Sequence, residues 1–480
     1  MKTTMMLVMG LAVSTVMAGE LPMPRSGVAQ TVGKGQAVAD GLGKGYRFAI
    51  ERYENLHAVV PFRNSGKEKV RLRYQLTGNP DFTIDVPADG KFHDYELVCG
   101  PLRKGEFLLS FETPAGIEFG DLEFRKLETD ALPEGNDLTI LPPVAKKPRI
   151  VVRDVGYVPE RPGEAEVLLW KGDAVAAVTF TVDDNHVQDH SWWMDLAAKY
   201  GARITWFQIT ENIGINNGRS LNGKWEDWKN VLAKGHDFQS HTFDHLHHRE
   251  MPIADVYRLG IERNQEKIPE HRIICMAYPG GGQTAKNSCI EAAKHFICSR
   301  GARPFPNEPG AINYMSTGSG HGDDTVEDAT NRFGIANIVT RNPKFPQYYR
   351  AWNCYHCHGM ATQQMKDSVE RAMRFFRDHG VWLAGYADVA RYGQERDTAR
   401  IETVENGAEK IVLKLTDRMK DDLFDYPLSL VLRVPDDWQA VEVGQGDKSS
   451  AVEVKRVSGK PAVTFEAIPD RGEIVVKKAR

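Results

Sequence analysis

The fold is decided by the stretch Ala174-Val175-Ala176-Ala177-Val178-Thr179-Phe180-Thr181-Val182-Asp183-Asp184-Asn185, an apolar run that ends in two carboxylates. A helical segment follows at residues 192–200, and apolar runs keep alternating with helical segments to about residue 395. Continuous apolar strands that alternate with helices predict a parallel sheet or barrel that is buried on both faces. Thirteen of the fifteen histidines lie between Trp170 and Trp382. The chemistry is therefore expected in this middle region.

The end of the first strand is the first candidate site. In a parallel βα fold, functional residues gather where strands end and loops begin. Neighbouring residues of a regular strand point to opposite faces, so Asp183 and Asp184 can reach one site only if the strand has ended there. Asn185 fits that reading, because asparagine tolerates a left-handed turn better than most residues do.

A histidine pair supplies the second feature, in Gly235-His236-Asp237-Phe238-Gln239-Ser240-His241-Thr242-Phe243-Asp244-His245. His241 and His245 are four residues apart, and on a helical turn both imidazoles would lie on one face. Alone, the pair could equally be two surface histidines. Together with Asp184 it offers three ligands to a zinc-like ion and leaves an open position for water, as a catalytic site requires.

The third feature is Trp352-Asn353-Cys354-Tyr355-His356-Cys357-His358-Gly359, which reads as a strand that ends at Gly359. Its cysteines and histidines split between the two faces of a strand, which argues against a structural zinc site. His356 and His358 are two apart and would share a face. A second aspartate beside a metal can act as a base, and a histidine from a later strand can act as an acid.

At these residues the chain resembles the polysaccharide deacetylase family, the NodB-homology carbohydrate esterases of carbohydrate esterase family 4, over about residues 165–395. The family's Thr-Phe-Asp-Asp-Gly is met, with departures at the second and fifth positions, by Thr181-Val182-Asp183-Asp184-Asn185. Its His-Ser/Thr-x-x-His is met in full by His241-Thr242-Phe243-Asp244-His245. The resemblance implies a distorted (β/α) barrel and a divalent metal, usually zinc. It also implies Asp184, His241 and His245 as metal ligands and Asp183 as the general base.

The later motifs of the family are less faithful here. The third, Arg-x-Pro-Phe/Tyr-Gly, is met by Ala277-Tyr278-Pro279-Gly280-Gly281, so its arginine must come from elsewhere, with Arg300 and Arg303 as candidates. The Gly280 amide can still serve an oxyanion hole, because that role needs no side chain. The fourth motif, rich in Asp and containing Trp, is not found.

The fifth motif, Leu-x-His, aligns with His356-Cys357-His358. The resemblance therefore implies His358 as the general acid, with Gly359 as the turn residue after it. His356 takes the leucine position and is expected, with Tyr278 and Gly280, on the oxyanion and substrate side of the site.

The chain of 480 residues is long enough for several domains. Its formal net charge of -4 gives no sign of a nucleic-acid partner. We predict a central barrel flanked by an N-terminal β-sandwich, which is either structural or carbohydrate-binding, and a small C-terminal β-domain. The predicted divisions are a β-sandwich at 19–129, a proline-rich linker at 130–164, the deacetylase domain at 165–397 and the accessory β-domain at 398–480.

Residues 1–18 are predicted to be a signal peptide. A short basic start at Lys2 precedes a short apolar core and a small residue at Ala18. The alternative is a retained membrane anchor. The expectation is an exported protein, periplasmic, surface-bound or secreted, with no membrane span in the mature chain. Such a compartment permits disulfides, but the pairing of six cysteines is not deducible from sequence.

The expected activity is metal-dependent removal of N- or O-linked acetyl groups from an acetylated extracellular or cell-wall polysaccharide. In the mechanism that the family resemblance implies, Asp183 takes a proton from the attacking water and His358 protonates the departing amine or alcohol. Two alternatives stay open. One is an exported glycan-binding protein with a decayed deacetylase domain. The other is a metal amidohydrolase that acts on a small amide.

Overall fold

The structure is a computed structural model, and it describes residues 29–34, 36–38, 43–50, 57–76, 82–99, 105–127, 138–141, 148–214, 222–246, 253–281, 289–321 and 334–479. The signal peptide predicted at residues 1–18 lies outside the described residues. Among these residues, the structure contains no helix with the length and apolarity that a membrane crossing requires.

The N-terminal region is the predicted β-sandwich. Two antiparallel sheets have the strand orders β1-β10-β4-β7, with β9 also paired to β4, and β2-β3-β8-β5-β6. Alternating apolar side chains of the two sheets form a core of their own, which includes Phe62, Leu72 and Phe111. The strands are β1 (Ala29–Lys34), β2 (Gln36–Val38), β3 (Gly43–Ile50), β4 (His57–Asn64), β5 (Val70–Leu76), β6 (Phe82–Val86), β7 (Phe92–Cys99), β8 (Gly105–Glu112), β9 (Ile117–Phe119) and β10 (Glu123–Leu127).

A strap follows the sandwich, in part of the proline-rich segment. Its described residues are tied to later parts of the chain by backbone hydrogen bonds, such as Arg149 N–H to the Gly310 carbonyl at 2.8 Å. Arg350 is buried and donates to the carbonyls of Arg153, Ala174 and Val175. The strap leads into the short strand β11 (Ala165–Val167).

The central sheet is parallel throughout and carries the site. Its spatial order is β16-β15-β14-β13-β12-β18-β17, with β19 also paired to β12. It is the curled, barrel-like sheet expected from the alternating pattern, and β12, β13 and β18 are buried along their whole length. The strands are β12 (Ala177–Val182), β13 (Ile204–Gln208), β14 (Asp237–Ser240), β15 (Cys275–Ala277), β16 (Cys298–Arg300), β17 (Gly320–His321), β18 (Trp352–Cys357) and β19 (Trp382–Leu383).

Helices lie between these strands. The longest, α6, begins where the Thr362 side chain accepts from the Met365 amide, and it buries one apolar stripe of Val369, Ala372, Met373 and Phe376. The helices are α1 (His190–Tyr200), α2 (Trp225–Ala233), α3 (Ile253–Lys267), α4 (Cys289–Ala292), α5 (Ala336–Val339), α6 (Gln363–Asp378) and α7 (Tyr386–Thr398).

The C-terminal region is a β-domain of two antiparallel sheets, as predicted. The sheets have the orders β11-β22-β26-β25 and β20-β21-β27-β23-β24. Because β11 pairs with β22, residues 165–167, which begin the predicted deacetylase domain, belong to a sheet of the C-terminal region. The strands are β20 (Arg400–Asn406), β21 (Lys410–Thr416), β22 (Leu428–Arg433), β23 (Ala440–Gln445), β24 (Lys448–Glu453), β25 (Lys455–Val457), β26 (Lys460–Ala467) and β27 (Glu473–Lys478).

Barrel and C-terminal domain share one apolar core. A single buried cluster contains Phe207 of the barrel, Tyr386 and Val389 of α7, and Leu413 and Leu430 of the C-terminal strands. Helix α7 is buried on nearly every side. The C-terminal domain therefore packs on the barrel through this shared cluster. The five cysteines other than Cys99 are buried, and the Cys99 side chain lies outside the described residues.

Candidate metal centre

The two aspartates stand where β12 ends. The Asp183 amide still donates to the Cys357 carbonyl at 2.9 Å, one step beyond the strand. The next two residues turn away, because Asp184 and Asn185 have φ angles of 62° and 59°. The prediction that the strand ends there, with a left-handed turn at Asn185, is confirmed. Both carboxylates are thereby aimed at the carboxyl edge of the sheet.

The histidine pair lies in a loop and not on a helical turn, so that part of the prediction was wrong. The strand β14 ends at Ser240, and Thr242 and His245 have φ angles of 70° and 55°. The Thr242 hydroxyl accepts from the His245 amide at 3.0 Å, which closes the loop. The rings of His241 and His245 still come together, with centroids 4.9 Å apart. Helix α3 supports the loop closely, since a Cβ at Gly260 would lie 3.2 Å from the Phe243 nitrogen.

Asp184, His241 and His245 form the candidate metal site. The Nε2 atoms of both histidines lie 3.5 Å from Asp184 Oδ1, and the three ligand atoms all lie within 4.8 Å of one another. Ligands about 2.0–2.2 Å from a tetrahedral ion are separated by roughly 3.3–3.6 Å, so the two 3.5 Å separations fit. Asp184 Oδ1 is buried and has no hydrogen-bond donor among the described residues. This orphaned acceptor fits a divalent cation.

A hydrogen bond at Nδ1 fixes the orientation of the His241 imidazole. His241 Nδ1 is 2.9 Å from the Ala277 carbonyl, an acceptor to which it can only donate. This tautomer leaves the Nε2 lone pair facing Asp184. A second partner that fixes the tautomer is a usual feature of metal-binding histidines.

The partner of Asp183 is Arg300. Nη2 of this arginine lies 2.6 Å and 2.5 Å from the two carboxylate oxygens. Both groups are buried, with Arg300 only 2% exposed. Burial alone would raise the pKa of the Asp183 carboxyl, but the Arg300 guanidinium, assisted by His241 and His356, lowers it to about 2. Asp183 is therefore an ionised acceptor at neutral pH.

Sheet register explains how Arg300 replaces the missing arginine of the third motif. Arg300 ends β16 and is the register partner of Ala277, which ends β15 and occupies the motif's arginine position. The side chain thus reaches the aspartate from the neighbouring strand. Its plane also lies over the Phe207 ring, 5.1 Å from the centroid. Of the two candidates, Arg300 is the one that pairs with Asp183 in the structure.

His356 is buried next to this pair. Its Nδ1 lies 2.8 Å from the Ser319 hydroxyl, and its ring packs on His321 at a centroid distance of 4.3 Å. Burial lowers the pKa of His356 to about 3, and the neighbouring Arg300 charge acts in the same direction. The imidazole is uncharged at neutral pH. No sequence signal indicated Ser319 or His321, because the strand that carries His321 has two residues.

His358 lies just after β18, which ends at Cys357 and not at Gly359. Its Nε2 is 3.6 Å from Asp184 Oδ2, the oxygen on the other side of the carboxylate, and its side chain is 48% exposed. Gly359 lacks the left-handed backbone of a turn glycine. It is needed for space instead, because a Cβ there would lie 2.9 Å from His186 Nδ1. His186 is a further site neighbour that sequence reasoning missed.

The two remaining predicted residues lie on the segment after β15. Gly280 is exposed with a φ of 66°, in the turn Pro279–Gly281. Tyr278 is only 2% exposed, and its hydroxyl donates to the Met315 carbonyl at 2.9 Å. The prediction that Tyr278 contacts substrate does not fit this placement, because its ring is a core group.

The sequence model of the family described as polysaccharide deacetylase matches residues 172–296. The chain contains a polysaccharide deacetylase domain. The match includes Asp183, Asp184 and both histidines of the candidate metal site, and it ends before Arg300 and His358. Placement of those later residues in the deacetylase domain therefore rests on the structure.

Among curated proteins, a gellan lyase from Bacillus sp is 33% identical over 384 residues, which is 73% of this chain and 15% of that protein. The chain thus spans about 15% of the length of this relative. Among solved structures, the Streptococcus pyogenes deacetylase PplD in complex with acetate is 17% identical, over 29% of this chain and 62% of that chain, with a TM-score of 0.26. The Bacillus subtilis peptidoglycan deacetylase PdaC is 15% identical, over 45% of this chain and 90% of that chain, with a TM-score of 0.27.

Proposed function

We propose that the chain hydrolyses acetyl groups, N- or O-linked, from an extracellular or cell-wall polysaccharide, with a divalent metal at the Asp184, His241 and His245 site. The observation that carries the proposal is this three-ligand set beside an ionised Asp183 within a polysaccharide deacetylase domain. An imidazole pair with one carboxylate is a donor set that suits zinc. We propose zinc on that basis.

The ion would supply Lewis acidity, which polarises an acyl carbonyl and acidifies water. The residues around the site bind the water and transfer the protons. Asp183 accepts the proton of the attacking water, held in place by Arg300. The water oxygen adds to the acyl carbon, and the bond from that carbon to the sugar nitrogen or oxygen then breaks. His358 donates a proton to the departing group, and acetate and a free amine or hydroxyl result.

The exposure of the groups suits a polymer. His358 and Gly280 are solvent-accessible, whereas Asp183, Arg300 and His356 are buried behind them. A glycan chain can therefore lie across the open side while one acyl group enters. We propose the Gly280 amide as an oxyanion donor, a role that its exposed backbone supports.

The test is acetate release by the purified full chain, across a panel of N- and O-acetylated glycans. We expect release that chelation abolishes and added zinc restores. Asp183→Asn is the matched variant, because it keeps the shape and loses the basicity. It should retain zinc while turnover falls by about 10²–10⁴. Glycan binding without acetate release would instead support the decayed domain, and release only from small amides would support an amidohydrolase.

A second candidate is lyase activity, which the 33% identity to the gellan lyase favours. A lyase would leave an unsaturated sugar end and release no acetate. The ultraviolet absorbance of that unsaturated product, recorded in the same reactions, separates the two activities. We also propose export, which is supported by the basic, apolar and small-residue pattern of residues 1–18.

A further inference from the structure

Asn185 stands where the polysaccharide deacetylase motif has glycine, and both polar atoms of its side chain are hydrogen-bonded. It is 1% exposed. Its Nδ2 donates to the Ile209 carbonyl at 2.8 Å, and its Oδ1 accepts from the Ile209 amide at 2.9 Å. A glycine would meet the left-handed backbone here equally well, since it has no Cβ. The turn alone therefore does not explain the asparagine.

The two bonds continue the sheet after its backbone has turned away. Strands β12 and β13 pair up to Val182 and Trp206. Ile209 follows the end of β13, and there the Asn185 amide takes the place of a neighbouring strand. Asp184 stands between that anchor and Asp183, whose amide donates to the Cys357 carbonyl at the end of β18. Its left-handed backbone is thereby fixed on both sides.

The segment around Ile209, to which Asn185 is bonded, also binds the loop that carries His241 and His245. The His241 amide donates to the Gln208 carbonyl at 2.8 Å, and the Glu211 amide donates to the Phe243 carbonyl at 2.8 Å. The segment 208–211 thus binds the loop that carries both histidines and, through Ile209, the turn that carries Asp184. It sets the distance between the carboxylate and the two imidazoles.

We propose that Asn185 is a positioning residue for the metal site, tying the Asp184 turn to the segment that holds His241 and His245. The proposal rests on the proposed metal site, and it is independent of which acyl group is hydrolysed. Outer partners that orient ligands commonly change metal affinity by about 10–100-fold. A loss of that size is expected when the Asn185 amide is removed.

The test measures zinc affinity in the full chain, by competition with a chromophoric chelator. Asn185→Gly keeps the backbone conformation and removes the anchor, so the zinc dissociation constant should rise by about 10–100-fold. Asn185→Ser has a side chain too short for both bonds and should give the same loss. It serves as the second test if the glycine variant does not fold.

The matched control is Asn64→Gly in the N-terminal sandwich. Asn64 is also buried, and its amide binds the Gly66 amide and the Val86 carbonyl. This variant should lower the thermal stability of the metal-free chain and leave zinc affinity unchanged. Unchanged zinc affinity in both Asn185 variants would overturn the proposal. Zinc binding by the wild type without acetate release would contradict the proposed function and leave this inference standing.

Discussion

Replacement of Arg300 by methionine tests the electrostatic core of the site. The change keeps the length of the side chain and leaves the buried Asp183 carboxylate without its cation. Removing one member of a buried pair costs about 3–5 kcal/mol. The pKa of Asp183 is about 2, and without the guanidinium the burial of the carboxyl raises it to at least its ordinary 3.8, which corresponds to at least about 2 kcal/mol. The two figures agree in scale.

The pH dependence has a definite sign. The pKa of Asp183 is depressed in the folded chain, so its contribution to stability is present above pH 3.8 and is lost as the pH falls towards 2. In Arg300→Met the acidic limb of kcat/KM for acetate release should therefore move up by at least about two pH units, because the burial of Asp183 remains. The free energy of unfolding at pH 7 should fall by about 3–5 kcal/mol.

The control is Arg350→Met, which removes another buried arginine, 3.0 Å from Asp173 and outside the site. It should destabilise the chain without moving the acidic limb. Arg300→Lys should fall between wild type and methionine, because lysine keeps the charge but loses the planar fork. An unmoved acidic limb in Arg300→Met, with normal stability at pH 7, would refute the role assigned to the pair.

Three further changes test other parts of the account. His358→Ala should reduce kcat/KM by about 10²–10⁴. His356→Leu should mainly lower stability, because it leaves the buried Ser319 hydroxyl without its partner. An inactive His356→Leu variant together with a nearly normal His358→Ala variant would reverse the assignment of the general acid. A chain that ends at Ala399 should not fold to a soluble monomer, because α7 loses the C-terminal strands that cover it. A cooperative thermal transition in that shortened chain would show that the barrel does not need the shared core. Burial raises the pKa of Glu395 to about 9, so the stability contributed by its protonated form is complete below pH 4.5 and is lost as the pH rises through 9. The melting temperature of Glu395→Gln should therefore exceed that of the wild type by an amount that grows from pH 5 to pH 8. A difference independent of pH would contradict this prediction.

The residues of the candidate metal site could be brought together from sequence because their signals are local. Asp184 follows an apolar strand directly, and His241 and His245 lie within five residues. The loop that unites the histidines could not be foreseen, since its left-handed residues, Thr242 and His245, are not glycines. The spacing matched a helix and a closed loop equally well.

Local sequence patterns do not show which arginine pairs with Asp183. Sequence offered two arginines, and the register of β15 against β16 puts Arg300 beside Ala277. Register between short parallel strands has no signature in the chain itself. The same holds for Ser319, which lies just before β17 and is hydrogen-bonded to His356 within β18.

The extent of the core was underestimated for a different reason. Helix α7 carries Arg396 and Asp397, and charged residues of these types are mostly exposed in proteins. In the structure Arg396 is buried and donates to the carbonyls of Leu169 and Pro309 and to Asp397. Paired charges can be buried, so polarity alone concealed a helix that lies inside the shared core.

The most direct test of the account is anomalous diffraction at the zinc edge, from crystals of the full chain grown with zinc. One ion is expected, about 2.0–2.2 Å from Asp184, His241 and His245. Crystals of His241→Ala grown in the same way should show no peak there. A peak at another cluster, or an occupied site in the variant, would contradict the assignment of the metal centre.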